Sequence, residues 1–377
     1  MTHASLSPDR LPDLNVGRIH LGFPIVQAAL SGYSDWPMRV LARRHGASYT
    51  LCEVMLDQFL VALKDRKRTD HFLYLSDEEH PVGGQLMGAE PEQFARGAMK
   101  LVEAGFDVID INFGCPVKQV TEKAHSGSYL LRFPDRMGQI IERVVAACAP
   151  TPVTAKIRLG CTRDKINAID VAQVVEGAGA AALTVHGRTA QDFFSGRADW
   201  ARISSIKPYL KKIPLIGNGD LDSPAAVLHA FRNYDVDGVM IARASLGKPW
   251  LFRQVHAALR GLPVPPDPTL AEQLQCMLRH YRLVCGRFGD EKGTVLMRKY
   301  ACNYANGRPG ARNFRANVAR VSTPEEFFEV VDKFFPRDGL GSQSGPGDQS
   351  EVAEPNCCEQ FDGSSRSEYG DEPDCCG

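Results

Sequence analysis

A (β/α)8 TIM barrel followed by a small all-helical domain is the architecture this 377-residue chain predicts. Three observations lead there. Eight short, doubly apolar runs recur with helix-like segments between them, the pattern of parallel strands buried on both faces. Side chains that carry chemistry collect at the C-terminal ends of those runs, where barrels of this kind place their sites. The alternative, a doubly wound sheet, lacks its signature, because no Gly-x-Gly-x-x-Gly turn follows the first run.

In order, the predicted strands are Ile25–Leu30, Ala47–Met55, Pro81–Gly88, Asp107–Cys115, Pro152–Gly160, Ala181–Thr189, Ile213–Asp220 and Gly238–Ser245. Their β-branched, apolar character suits the centre of a parallel sheet, and each ends in small or polar residues. Helical patterns lie between them, among them Pro91–Ala104, Asp135–Ala149, Asp170–Glu176 and Pro224–Phe231. Past Trp250 the pattern changes. Pro263-Val264-Pro265-Pro266-Asp267-Pro268 reads as a stiff linker. Leu270 to Phe335 reads as helices without strand-like alternation. The chain thus divides into an N-terminal extension (1–16), the barrel (17–262), a helical domain (263–337) and a tail (338–377). The tail is rich in Gly, Ser, Asp and Glu with no periodic apolar face, and is expected to be disordered. Its pairs Cys357-Cys358 and Cys375-Cys376 have neither metal-finger spacing nor a nearby His, so no metal site is expected.

Composition narrows the class. A net charge of −1 argues against a uniformly basic nucleic-acid binder but leaves room for a local basic patch. No apolar run approaches the ~20 residues of a membrane span, and Met1 to Asn15 lacks a signal-peptide pattern. The 11 cysteines are spread singly over the body and paired only in the tail, which fits reduced thiols in a cytoplasmic protein better than a disulfide scaffold.

Reading only the strand ends yields Ala29-Leu30-Ser31, Gln85, Asn112 with Cys115, Lys156 with Arg158, His186 with Arg188, Asn218-Gly219-Asp220 and Ala242-Arg243. In Asp110-Ile111-Asn112-Phe113-Gly114-Cys115-Pro116 a thiol stands just past an apolar run, between Gly114, which frees the backbone, and Pro116, which stops the strand. Cys115 is therefore a catalytic candidate, with an inert strand-end cysteine as the alternative. Lys156 and Arg158 share one interior face and need an anion or an electron-rich partner. The small residues closing the seventh and eighth strands suit backbone binding of phosphate. Taken singly, the Gly-Asn-Gly-Asp segment equally makes a tight turn, His186 a hydrogen-bonded core histidine, and Lys156 an ion-pair partner. Together they suit a phosphate-bearing ring cofactor such as FMN.

The helical segment is unbalanced in charge. Arg279, Arg282, Arg287, Lys292, Arg298, Lys299, Arg308, Arg312, Arg315 and Arg320 face only Asp290 and Glu291, with Tyr300, Tyr304 and Phe314 interleaved. A solvated helical face and a surface for a phosphate backbone both account for this.

Six motifs extend the reading: Asp110–Lys118 (DINFGCPVK), Gly127–Leu131 (GSYLL), Pro152–Arg158 (PVTAKIR), Leu183–Thr189 (LTVHGRT), Ile216–Asp220 (IGNGD) and Val239–Phe252 (VMIARASLGKPWLF). In order and spacing they resemble the tRNA-dihydrouridine synthases, from about Gly17 to Phe335. Met297–Val321 is similar to the helical domain of the bacterial B-type enzymes. The resemblance implies reduction of uridine to 5,6-dihydrouridine in tRNA, with bound FMN and with NADPH as electron source. It implies that Ala29, Leu30, Ser31, Gln85, Lys156, His186, Asn218, Gly219, Asp220, Ala242 and Arg243 hold FMN. It casts Cys115 as the general acid: hydride from reduced flavin reaches uracil C6, and the thiol protonates C5. Asn112 would bond the uracil edge, with Arg158 and Arg188 helping to position the base. Arg298, Lys299 and Arg315 would grip tRNA while the target base is turned out of its stack. No stable protein partner is implied.

Two features depart from the family's pattern. Its first strand usually ends Ala-Pro-Met-x-Gly, whereas Ala28-Ala29-Leu30-Ser31-Gly32 stands here. Leu keeps most of the Met volume, so adjusted or weakened FMN binding is the expectation. The acidic tail has no counterpart role. Two competing readings are a barrel flavoenzyme for a free pyrimidine, like dihydroorotate dehydrogenase, and an RNA-binding protein that has lost catalysis. The basic helical segment discriminates against the first.

Overall fold

The computed structural model describes residues 11, 13–62 and 72–335. Eight parallel strands form its first unit: β1 (Ile25–Gln27), β2 (Tyr49–Leu51), β3 (Val82–Met87), β4 (Val108–Phe113), β5 (Val153–Arg158), β6 (Ala182–His186), β7 (Leu215–Asn218) and β8 (Gly238–Ile241). Each pairs with its neighbour in sequence, and β8 pairs with β1, so the sheet closes on itself. This is the predicted TIM barrel, every strand lying inside its predicted run.

The helices described in this unit are α1 (Trp36–Arg44), α2 (Asp57–Ala62), α3 (Pro91–Ala104), α4 (Pro134–Cys148), α5 (Ala168–Gly177), α6 (Trp200–Ser204), α7 (Pro224–Asn233) and α8 (Leu251–Leu259). Local chemistry starts and stops them. The Asp35 and Ser223 side chains accept from the backbone N–H groups of Met38 and Ala226, capping α1 and α7. Pro91 opens α3, and Gly105 at φ 100° ends it.

Residues of one strand parity, such as Ile109, Ile111, Ala155, Ile157 and Val185, join the helices in the main apolar core. The other parity points into the barrel. There Val26, Tyr49, Val108, Ala182, Ile216 and Met240 form a second cluster with Leu14, Val16 and Leu21. These last three come from a hairpin, Leu14–Val16 against Ile19–Gly22, that plugs the N-terminal end of the barrel. The barrel interior is thus largely apolar at the bottom, and its polar side chains gather toward the C-terminal rim.

The second unit begins at Pro268. It holds α9 (Leu270–Phe288), α10 (Asp290–Tyr304), α11 (Ala311–Val318) and α12 (Pro324–Phe334). Thr269 and Glu272 build a reciprocal capping box on α9. The rings of Tyr281 and Phe327 stack at 4.5 Å, and Phe314 meets Phe334 at 4.6 Å, which ties α9 and α11 to α12. Among the described residues no helix is long and apolar enough to cross a membrane. The expectations for the tail, 338–377, fall outside the described residues.

Candidate active site

Strand register brings the predicted barrel residues to one rim. Gln85 on β3 stands beside Asp110 on β4, Asn112 beside Lys156 on β5, and Arg158 beside His186 on β6, which faces Asn218 on β7. Polar residues two apart along a strand share the inner face, so the alternation read in the sequence is the alternation of the barrel wall.

Cys115 sits on the turn leaving β4, and that turn is held from both sides. Asn112 Oδ1 accepts from the backbone N–H groups of Gly114 and Cys115, each at 3.0 Å. Arg158 Nε donates to the Gly114 carbonyl at 2.8 Å, and Ser128 N–H donates to the Cys115 carbonyl at 3.0 Å. Gly127, from the GSYLL motif, lies against the turn at φ 59°. A Cβ there would come within 2.7 Å of the Cys115 carbonyl oxygen, so only glycine allows the approach. Burial raises the Cys115 thiol above its ordinary range, with a backbone N–H and the Arg158 and Lys156 charges opposing. A thiol raised in this way is protonated at neutral pH.

Lys156 makes no hydrogen bond or ion pair among the described residues. Burial, reinforced by Arg158, pushes its ammonium down to about 8. Burial also holds His186 far below the usual imidazole range, helped by Lys156, Arg158, Arg188 and Arg243. It is therefore a neutral ring amid cations. The three arginines differ in what they have left to give. Arg188 is 4% exposed and spends its guanidinium on Asp220 at 2.8 and 2.9 Å and on the carbonyls of Ser195 and Gly196. Arg158 donates to Thr189 and Phe193 carbonyls besides Gly114. Arg243 is exposed and lies 4.4 Å over the Phe194 ring.

The β7 end is a tight loop. Asn218 Nδ2 donates to the Met240 carbonyl at 2.8 Å, locking β7 to β8. Gly219 has φ 127°, and a Cβ there would lie 2.6 Å from Ala198 Cβ and 3.1 Å from the His186 ring. Asp220 itself adopts φ 54°, fixed by Arg188 and by the Ala198 N–H at 2.6 Å.

The first loop answers the missing Pro-Met. Buried Ser34 accepts from Leu30 N–H at 2.8 Å and donates to the Ala28 carbonyl at 3.2 Å, while Glu53 accepts from Gly32 N–H at 3.0 Å. Side chains thus fix the Ala29-Leu30-Ser31 turn that a proline would have stiffened. Ser34, Glu53 and Phe194 escaped the sequence reading. Only Ser34 left a trace, a hydroxyl residue placed to form a local turn.

Arg298, Lys299 and Arg315 lie in the helical unit. Arg298 donates to the Val321 carbonyl at 2.6 Å and to Ser322 Oγ, so it fastens α10 to the segment entering α12. Lys299 lies 4.8 Å over the Tyr300 ring. Arg315 is exposed on α11 beside Arg312, opposite the buried face of Ala311, Phe314 and Val318, and donates to Asn306. No group of His, Cys, Asp or Glu that could hold a metal ion occurs among the described residues.

The dihydrouridine synthase family model matches residues 26–338. The tRNA-dihydrouridine synthase B of Xanthomonas campestris pv. campestris is 37% identical over 85% of this chain and 96% of its own length. The corresponding enzyme of Pseudomonas aeruginosa is 36% identical over 85% and 96%. A probable tRNA-dihydrouridine synthase of Mycobacterium tuberculosis is 34% identical over 92% of both chains. Among solved structures, histamine dehydrogenase from Rhizobium sp. 4-9 aligns with a TM-score of 0.52 at 17% identity, covering 67% of this chain and 48% of that one, a likeness of fold. Barrel, rim and relatives agree: the chain belongs to the dihydrouridine synthase family, flavin-dependent oxidoreductases that act on tRNA.

Proposed function

We propose that this protein reduces the C5–C6 double bond of particular uridines in tRNA, using bound FMN and NADPH, with Cys115 as the proton donor. The observation that carries the reading is the Cys115 turn. It presents a protonated thiol at a rim with more cations than anions, clamped by Asn112, Arg158 and Gly127.

The rim suits an anionic flavin. Lys156 is an ammonium that makes no ion pair among the described residues, and the Gly219 loop leaves space that a side chain would fill. Lys156, Gln85, His186, Asn218, Gly219, Ala242 and Arg243 would hold the cofactor, along with the Ala29-Leu30-Ser31 turn. Asp220 contributes through Arg188, by shaping the loop. When bound, the flavin supplies a hydride for uracil C6.

This chain's residues do the remaining work. Cys115 Sγ gives its proton to C5, and burial keeps that proton in place until it is needed. Neutral His186 cannot compete as an acid at physiological pH. Lys156, cationic below about pH 8, favours negative charge at the rim. Arg158 and the free N–H of Asn112 face the base edge. The exposed arginines of the helical unit, Arg312 and Arg315 on α11, bind RNA phosphates while the base is extruded. The seven cysteines among the described residues are all free, which supports a reducing, cytoplasmic setting.

The test is direct. Purified protein carries a flavin absorbance that NADPH bleaches, and reduces uridines in tRNA lacking the modification but not free uridine or orotate. Cys115→Ala keeps the flavin and its bleaching while dihydrouridine formation falls ~10²–10⁴-fold. Near-normal tRNA reduction by that variant removes Cys115 from the mechanism.

A further inference from the structure

Beneath the Cys115 turn, a chain of hydrogen bonds crosses the barrel interior. Thr154 Oγ1 donates to Asp110 Oδ1 at 2.5 Å, and Gln85 Nε2 donates to Asp110 Oδ2 at 2.7 Å. Gln85 Oε1 accepts from Asn112 Nδ2 at 2.8 Å. Asn112 Oδ1 then accepts from Gly114 and Cys115 N–H. Asp110 and Gln85 are 2% and 1% exposed, so bulk water does not compete for these bonds.

We infer that Asp110 is a positioning residue for the reduction: its buried carboxylate, gripped by Thr154, dictates the amide orientation of Gln85, then of Asn112, and so fixes the backbone that carries the Cys115 thiol. This rests on the reading that Cys115 donates the proton.

The logic is one of donors and acceptors. An amide side chain can be turned over with little change of shape, exchanging its donor end for its acceptor end. Neither Gln85 nor Asn112 can choose its own orientation. Burial raises the Asp110 carboxyl, but both its oxygens accept hydrogen bonds, and those donors together with the Lys156 charge favour the carboxylate; Gln85 must then turn its NH2 to Asp110, which leaves its oxygen toward Asn112. Asn112 must answer with its NH2, which leaves its oxygen toward the two N–H groups of the turn. With the anchor gone, either amide is free to flip. A flipped Asn112 would set its NH2 against two backbone N–H groups and lose both anchors of the turn. Strand register makes the chain: Asp110 lies beside Gln85 on one side and Thr154 on the other, two residues below Asn112 on the same face. The anchors of the turn come from Asn112, Arg158 and Ser128 rather than from Asp110, so the effect of Asp110 is transmitted.

The experiment uses the flavin-loaded full chain and tRNA lacking dihydrouridine. Asp110→Leu lowers kcat for dihydrouridine formation by roughly 10–100-fold, the scale of losing an outer hydrogen-bonded support. The rate of flavin bleaching by NADPH, which does not use the Cys115 proton, falls far less than kcat. Asp110→Asn recovers most of that loss, because its carbonyl still accepts from Gln85 while its NH2 donates to the Thr154 hydroxyl. In an Asn112→Ala background, Asp110→Leu costs nothing further, since the route to the turn is already cut. Thr154→Val, which only loosens the carboxylate, gives a smaller loss that likewise vanishes in that background and serves if Asp110→Leu does not fold. Losses that multiply in the double variants, or flavin bleaching that falls in step with kcat, overturn the inference. A parent protein inactive on tRNA, or an active Cys115→Ala, overturns the functional reading instead.

Discussion

The barrel rim and the α10–α11 face of the helical unit are both rich in cations, yet they use them in opposite ways. At the rim, Arg158 and Arg188 are 3% and 4% exposed and bond backbone carbonyls and Asp220, while Lys156 makes no ion pair among the described residues. In the helical unit, Arg312, Arg315 and Arg320 are exposed, while Arg298 and Arg308 serve as ties to Val321 and Pro268 carbonyls. Buried charge shapes a site because every donor must be satisfied, whereas exposed charge acts through its field and is screened. Substitutions should therefore fail in different ways in the two regions.

The largest effect is expected at Cys115, where loss of the thiol removes chemistry and leaves binding intact. Next comes Arg158→Met. It strands the buried Gly114 and Thr189 carbonyls and the half-buried Phe193 carbonyl, and the expected cost is about 1–3 kcal/mol for each buried one, read as a lowered denaturation midpoint together with lost activity. A stable but inactive variant would mean that Arg158 acts on the substrate alone. Arg298→Ala should cost about 1–3 kcal/mol through the missing bond to the Val321 carbonyl, with tRNA affinity changing only as far as α10 loosens. Normal stability with weak tRNA binding would return Arg298 to the RNA surface. The smallest change in stability, within about 0.5 kcal/mol, is expected for Arg312→Ala with Arg315→Ala. That pair should instead weaken tRNA binding and flatten its salt dependence by roughly 0.7–0.9 for each phosphate no longer neutralised.

Acidity separates the regions further. The Cys115 thiol is raised by burial, so its acid form prevails below the raised value and is lost as pH climbs through it. The rate of proton transfer should stay level across neutral pH and fall only in the alkaline range. Lys156 loses its charge above about pH 8 in the cofactor-free protein, so flavin affinity should decline from there upward. Titration of flavin binding from about pH 7 to about pH 9.5, bracketing the lysine's titration, checks it; unchanged affinity would show that another cation answers the cofactor. Both trends belong to the rim alone.

Much of this was legible in the chain. Apolar runs at regular intervals, each ending in a polar cluster, suffice for a barrel and for the membership of its rim, because a strand's period of two decides which side chains share the inner wall. Cys115, Lys156, His186 and the Asn218 loop follow from that rule. What each residue spends its hydrogen bonds on does not, since partners come from strands tens of residues away. Asp110 opened a recognisable motif but had no role until register put it between Gln85 and Thr154. Arg188 was expected to meet the base and is held by Asp220; Arg298 was expected to meet RNA and grips Val321. The turn where the family's Pro is missing is fixed by Ser34, six residues from the Ala28 carbonyl it binds. Local pattern determines where a side chain points, because backbone periodicity is a local property. Only the closed barrel decides which donors remain free, because that outcome depends on every neighbour at once.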